Sequence, residues 1–257
     1  MSRGVTSRWR KDLTLSPKYK FWLRGVQGIG SGAVVDESGN GAHGVLNSLT
    51  DAACWANAGA FTIGTLAGHV VSIPANKFTW DGTSQSLVLK FDIKLANPAA
   101  FGAVISCESA IADIGLSIRT DNLGNIYPKL RYLSVANAYN AEKILAMDGG
   151  KHQCVFAFDA LSRMLYTYLD TAPAGPGIDI SGHYDAVDAL TETPNTPTLV
   201  NQDLVFGAQN KSTAPWAAQF NDVEALVFDG GLPSNLQSII DQSFSQPRFP
   251  ITDKVLP

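Results

Sequence analysis

Asp81-Gly82-Thr83-Ser84-Gln85-Ser86-Leu87-Val88-Leu89-Lys90-Phe91-Asp92-Ile93-Lys94-Leu95 is the stretch that decides the fold. From Leu87 every odd position is apolar, and the even positions hold Val88, Lys90, Asp92 and Lys94. A helix advances about 100° per residue and would scatter Leu87, Leu89, Phe91, Ile93 and Leu95 around its circumference, whereas a strand gathers them on one face. The pattern predicts a long antiparallel strand over 86–95, with odd side chains in a core and even ones in water. An Asp81-Gly82 turn leads into it.

On either side, short apolar runs recur at intervals of about ten residues, at 19–23, 61–63, 70–73, 78–80, 103–107, 115–119, 129–133, 153–158, 164–169, 204–206 and 223–228. Cys154, Phe156 and Phe158 alternate with Val155 and Ala157, and Met164, Tyr166 and Tyr168 alternate with Leu165, Thr167 and Leu169. Asp159-Ala160-Leu161-Ser162 lies between them, so the pair predicts a hairpin. One helix is expected, with Ser234 as its cap and Leu236, Ile239, Ile240 and Phe244 on one face. Residues 171–203, rich in Pro, Gly, Thr and Asp, predict a long loop laid on the body. The expected class is all-β, an antiparallel two-sheet jelly-roll sandwich with one short C-terminal helix.

The chain has 257 residues, 45% hydrophobic and 16% charged, which suits one large all-β domain. No apolar run approaches the ~18 residues of a membrane span, and the charged start of the chain is followed by no apolar stretch of a secretion signal. Synthesis in a cytoplasm without a signal peptide, and no membrane partner, are therefore expected. Cys54, Cys107 and Cys154 are odd in number and form no C-x-x-C pair, which predicts buried thiols rather than a disulfide framework. His152 and Cys154 share a strand face but are too few for a structural zinc. Gly25, Gly28, Gly30 and Gly32 predict a flexible loop, since their spacing matches neither phosphate-binding fingerprint.

Charge divides the chain. Residues 1–24 carry seven bases and one acid, a charge of +6, leaving −10 on the remainder of a chain whose total is −4. The expected organisation is a basic extended arm over 1–19, a sandwich over 20–246 and a Pro-rich tail over 247–257. Arg3, Arg8, Trp9, Arg10, Lys11, Lys18 and Lys20 are the expected assembly residues, attracted to the acidic body of a neighbouring subunit in a homo-oligomer. Nucleic acid is not expected as a partner, because an acidic body repels phosphate.

Asp36-x-Ser38-Gly39-Asn40-Gly41-x-His43-Gly44 resembles the opening motif of laminin-G-like domains in the concanavalin A-like lectin/glucanase superfamily. Trp80-Asp81-Gly82-Thr83 is similar to that family's aromatic-Asp-Gly turn. Asp148-Gly149-Gly150-Lys151-His152 stands where the family has G-x-W-H, with Lys151 replacing Trp. Leu165-Tyr166-Thr167-Tyr168-Leu169-Asp170 resembles its L-x-L-Y-V-D-G strand, with Thr171 in place of Gly. The segments beginning at Phe220 and ending at Ser234 resemble its closing strand and helix, so the resemblance covers roughly residues 20–246. It implies two antiparallel sheets packed face to face and, across the family, sugar binding, protein binding, occasional calcium binding or glycoside hydrolysis.

The family's hydrolytic E-x-D-x-E pattern is absent; Asp222-Val223-Glu224 is the nearest approximation, on a strand that usually shows such residues to solvent. No G-x-S-x-G is present, and no enzyme activity is expected. Asp36, Asn40 and Asp81 are candidate calcium ligands if their loops meet at one end of the sandwich. Trp55, Trp216, Tyr127 and Tyr139 are candidate glycan-stacking residues. The expectation is a non-enzymatic structural protein of a larger assembly that displays a lectin-like sandwich to surface glycans. It resembles the capsid decoration, tail and fibre proteins of tailed-bacteriophage virions. The alternative is a free lectin or a glycoside hydrolase of the same fold.

Overall fold

The computed structural model describes residues 18–24, 32–56, 60–64, 66, 68–80, 82, 84–95, 102–108, 115–121, 123–131, 138–140, 145–146, 148–170, 172–180, 203–208, 218–238 and 240. Its strands are β1 (Lys18–Arg24), β2 (Ala33–Val34), β3 (Gly44–Asn47), β4 (Phe61–Ile63), β5 (Val70–Ile73), β6 (Gln85–Leu95), β7 (Gly102–Glu108), β8 (Gly115–Thr120) and β9 (Asn125–Arg131). There follow β10 (Ala138–Asn140), β11 (Leu145–Ala146), β12 (Lys151–Asp159), β13 (Met164–Leu169), β14 (Ala172–Pro173), β15 (Ile178–Asp179), β16 (Leu204–Phe206) and β17 (Ala218–Asp229). A one-turn helix, α1 (Asp51–Cys54), starts where the Thr50 hydroxyl accepts the Ala53 N–H at 3.2 Å.

One sheet runs β1-β17-β6-β12-β13-β14, with β4 also on β17 and β15 on β13. The other runs β10-β9-β8-β7-β16-β5-β3-β2, with β11 on β9. The two are an all-β antiparallel sandwich. Leu87, Leu89, Phe91, Ile93 and Leu95 all enter the core between the sheets, as their spacing predicts. Rings from both layers meet there: Phe61 stacks on Phe220 at 5.2 Å, and Phe206 stands edge-on to both at 5.7 and 5.6 Å. Gly207, at φ +82°, turns the chain so close to Ile63 that a Cβ there would lie 2.4 Å from its Cγ2.

Three expectations need correction. The even side chains of β6 do not simply face water, since Val88, Lys90 and Asp92 are buried and only Lys94 is exposed. The outer face of this sheet carries a second apolar layer, in which Val88, Leu226, Phe228 and Ala157 lie under Leu236 and Ile240 of the C-terminal helical turn. Ile239 and Phe244 lie outside the described residues. Residues 78–80 are not a strand: Phe78 and Trp80 reach the core from irregular backbone, and the Trp80 indole donates to the Gln85 carbonyl at 2.7 Å. The run expected at 129–133 belongs to a strand that starts at Asn125. Pro128, which discourages that reading, falls between the residues paired with β10 and those paired with β11.

β1 begins at Lys18, inside the expected arm, and lies opposite Val227 there. Of the expected assembly residues, Arg3, Arg8, Trp9, Arg10 and Lys11 lie outside the described residues, as does the tail over 247–257. The edge of β1 is closed by the 36–44 turn, where the Trp22 N–H donates to Asp36 Oδ1 at 2.8 Å and the Glu37 N–H to the Trp22 carbonyl at 2.8 Å. Among the described residues no helix is long and apolar enough to cross a membrane.

Candidate functional site

The outer face of the sheet that holds β6 is graded. Past the apolar layer, one cross-strand row places Trp22 opposite Glu224, Glu224 opposite Lys90, Lys90 opposite Val155 and Val155 opposite Tyr168. Directly opposed residues share a face, at a strand spacing of about 4.8 Å, so this row is a continuous strip. In the next row Arg24 faces Asp222 and Asp92 faces Gln153. Between these rows the β17–β6 register shifts at Phe220–Val223, a bulge that adds Asn221 and Asp222 to the strip.

The floor is charged and buried. Lys90 is 6% exposed, Asp92 6% and Glu224 4%. Lys90 Nζ lies 3.2 Å from Glu224 Oε1 and 3.8 Å from Asp222 Oδ2. Burial alone would pull the Lys90 ammonium down, but Glu224, Asp222 and Asp92 together hold it above the usual lysine range. Burial pushes Glu224 above the usual carboxylate range, with Lys90 opposing the shift and Asp222 and Asp92 adding to it. The two directions are consistent because Lys90 gains from three carboxylates at once, whereas Glu224 meets one ammonium together with burial and two like charges.

The rim is reachable. Trp22 is half-buried, its indole N–H donates to Asp222 Oδ1 at 2.7 Å, and the Arg24 guanidinium sits 5.5 Å from its ring centre. Asn221 and Gln153 are also half-buried and Lys151 is exposed. With Asp92, Ile93 and His152 they line a dimple of about 20 Å³, room for one water-sized group.

His152 closes one end of the dimple. Its Nδ1 lies 2.9 Å from Asp170 Oδ2 and its Nε2 lies 2.9 Å from Asp148 Oδ1. Partial burial lowers its pKa, but the bonds to Asp170 and Asp148 outweigh that and raise it above the usual histidine value. Cys154, behind it on the same face, is fully buried; burial first, then Asp170 and Asp92, push its thiol far above the ordinary range. Cys54 is likewise pushed up to about 11, chiefly by burial. All three cysteines are free and buried.

The sequence-predicted candidates fall elsewhere. Both oxygens of Asp36 are taken up by the turn: Oδ1 accepts the Trp22 and Ser38 N–H groups, and Oδ2 accepts the Ser38 hydroxyl and the Ala42 N–H, all at 2.8–2.9 Å. Four donors fill the four lone-pair directions of one carboxylate, which is what the D-x-S-G-N-G motif builds. Asn40 is exposed and Asp81 lies outside the described residues. Trp55 follows α1 and packs against the main core, its indole nitrogen buried without an acceptor among the described residues. Tyr127 is half-buried in β9, opposite Arg119 on the outer face of the other sheet, and Tyr139 occupies β10 opposite Leu130. Trp216 lies outside the described residues. Asp222 and Glu224 do share a face, but Glu224 is buried against Lys90 rather than shown to solvent. Sequence reasoning passed over Trp22 because it sits in an apolar run; its signal is the register that sets it beside Asp222 and Glu224.

No family model matches the sequence, and no curated protein matches it. Solved structures resemble the fold. The binding domain of botulinum neurotoxin serotype G superposes with a TM-score of 0.61 at 14% identity, over 88% of this chain and 50% of that one. The serotype D ligand-binding domain in complex with N-acetylneuraminic acid gives 0.56 at 14%, over 86% and 50%. Trypanosoma rangeli sialidase with 2,3-difluorosialic acid gives 0.55 at 13%, over 90% and 32%. The chain thus shares a β-sandwich fold with these proteins and spans about half the length of the toxin domains and a third of the sialidase.

Proposed function

We propose that this chain is a non-enzymatic glycan-binding protein whose ligand lies across Trp22, Asp222, Asn221 and Gln153. One observation carries the reading: a half-buried indole on β1 is hydrogen-bonded to Asp222 on β17, and the neighbouring Asn221 lines, with Gln153, a dimple of hydroxyl size. Sugars are held by an aromatic plate under their C–H face and by planar polar groups that receive and donate to hydroxyls. The likeness to toxin binding domains, one of them solved with a sialic acid, supports binding as the use of the fold. The Lys90 ion cluster supports binding over hydrolysis. Of the paired acids on β17, Glu224 is 4% exposed and bonded to an ammonium, a poor position for donating a proton to a glycosidic oxygen.

The finer reading is a virion component of a tailed bacteriophage, as capsid decoration, tail or fibre protein, joined to its neighbours through the arm and tail. Its support is the charge division of the chain, +6 in residues 1–24 against −10 in the rest. A glycan array with the full chain and Trp22→Ala, alongside a turnover assay on polysaccharides, tests the first part. Sugar retention lost in the variant, with no hydrolysis, is expected; hydrolysis abolished by Glu224→Gln would overturn the non-enzymatic reading. Deleting residues 1–17 tests the second, and should leave a folded sandwich that no longer assembles.

A further inference from the structure

His152 has both ring nitrogens 2.9 Å from carboxylate oxygens. A neutral imidazole has one N–H and one lone pair, so it can donate to only one of them, and the other contact would set lone pair against lone pair. Two donations require the imidazolium. The geometry therefore assigns a proton to this site. The ring joins the turn that carries Asp148, just before β12, to Asp170, just after β13.

The two carboxylates are not equally held. Asp170 is fastened to β12 by backbone, its Oδ1 accepting the Gln153 N–H at 2.9 Å and its own N–H donating to the Gln153 carbonyl at 2.9 Å. The Asp148 side chain is 79% exposed, and its other bond, from the Gly150 N–H at 2.7 Å, stays within its own turn. Two glycines, Gly149 at φ +83° and Gly150, give that turn the freedom to move.

We propose that His152 is a proton-operated latch in the wall of the dimple, shut by the imidazolium across Asp148 and Asp170 and opened by loss of one proton, which releases the 148–150 turn. Among the described residues, the other charged groups lining the dimple are Asp92 on β6 and Lys151 on β12, with Lys94 opposite Lys151; by register they stand on the outer face, whereas His152 lies opposite Ile93, and the buried Cys154 stays a thiol. Lys151, His152 and Gln153 line the dimple together, so the latch makes its wall firm at low pH and loose at high pH. The latch is independent of the glycan reading and is tested without any ligand.

The experiment is an NMR titration of the His152 ring in the full chain from about pH 5 to about pH 9, with backbone 15N relaxation at each end. The ring should carry protons on both nitrogens at the acid end and titrate with a midpoint above the ordinary 6.5. Order parameters at Asp148, Gly149 and Gly150 should fall from about 0.85 to below about 0.6 across the midpoint, while those at Gln153 and Asp170 hold. Asp148→Asn, an exposed change that should not unfold the chain, removes one of the two charges on the ring and should lower the midpoint. A midpoint at or below 6.5, an unchanged midpoint in Asp148→Asn, or a turn equally rigid at both ends would overturn the proposal.

Discussion

Replacing Lys90 by Met keeps most of the length of the side chain and removes an ammonium that answers Asp92, Asp222 and Glu224. At an effective dielectric constant of about 20, a pair near 4 Å is worth about 4 kcal/mol, and the Lys90 contacts are 3.2 and 3.8 Å. Part of that is offset because Met has no charge to desolvate. Breaking a buried ion pair from one side typically costs about 3–5 kcal/mol, and that is the expected loss here. For a chain of this size each kcal/mol moves Tm by about 2–4 °C, so the midpoint should fall by roughly 6–20 °C. Urea unfolding at neutral pH measures the loss directly, with an unchanged slope showing that the folded and unfolded states are otherwise the same. Two controls sharpen the result. Lys90→Met combined with Glu224→Leu should recover about 2 kcal/mol, since the stranded carboxylate is gone. The single variant should also regain stability relative to the parent as pH falls toward the ordinary glutamate value of 4.5, because Glu224, held up by burial and further by the loss of Lys90, takes up its proton above that value. A cost below about 1 kcal/mol that is the same at pH 5 and pH 7 would refute the argument, because it would mean the cluster is solvated like a surface pair.

Asp36→Ala strands the Trp22, Ser38 and Ala42 N–H groups and frees the edge of β1, and should cost about 3 kcal/mol or more by chemical denaturation. Added calcium should leave the parent's Tm unchanged, since the lone pairs of Asp36 are already occupied. Gly207→Ala combines a left-handed φ of +82° with a methyl 2.4 Å from Ile63 Cγ2, and should destabilise by about 2–5 kcal/mol in the same assay. His152 has a pKa raised on folding, so its contribution to stability is complete below pH 6.5 and disappears as pH rises through the folded value. A pH series of Tm for the parent and His152→Gln should therefore converge at the alkaline end and separate at the acid end.

The strands were legible wherever apolar residues recur at every second position, even on β6, whose other face is buried as well. The 86–95 alternation, the β12–β13 hairpin and the spacing of short runs all reported the sandwich, because a period of two is a local property of the backbone. The D-x-S-G-N-G stretch announced a turn by composition, and its Asp36 is the hub of that turn, accepting from Ser38 and Ala42. Pairs such as Val88 and Leu226, or Lys90 and Glu224, lie 134 or more positions apart and meet only when β17 closes against β6. No window of sequence contains them.

Alternation along the chain was thus enough by itself to determine the two layers and which side chains enter the space between them. The tertiary structure alone decided what covers the outer face, that a lysine is sunk among three carboxylates, and that Trp22 stands at the edge of that cluster. The physical reason is range: strand periodicity is written in neighbouring residues, whereas a register between strands, and the charges it brings face to face, exists only after loops of a hundred residues have closed.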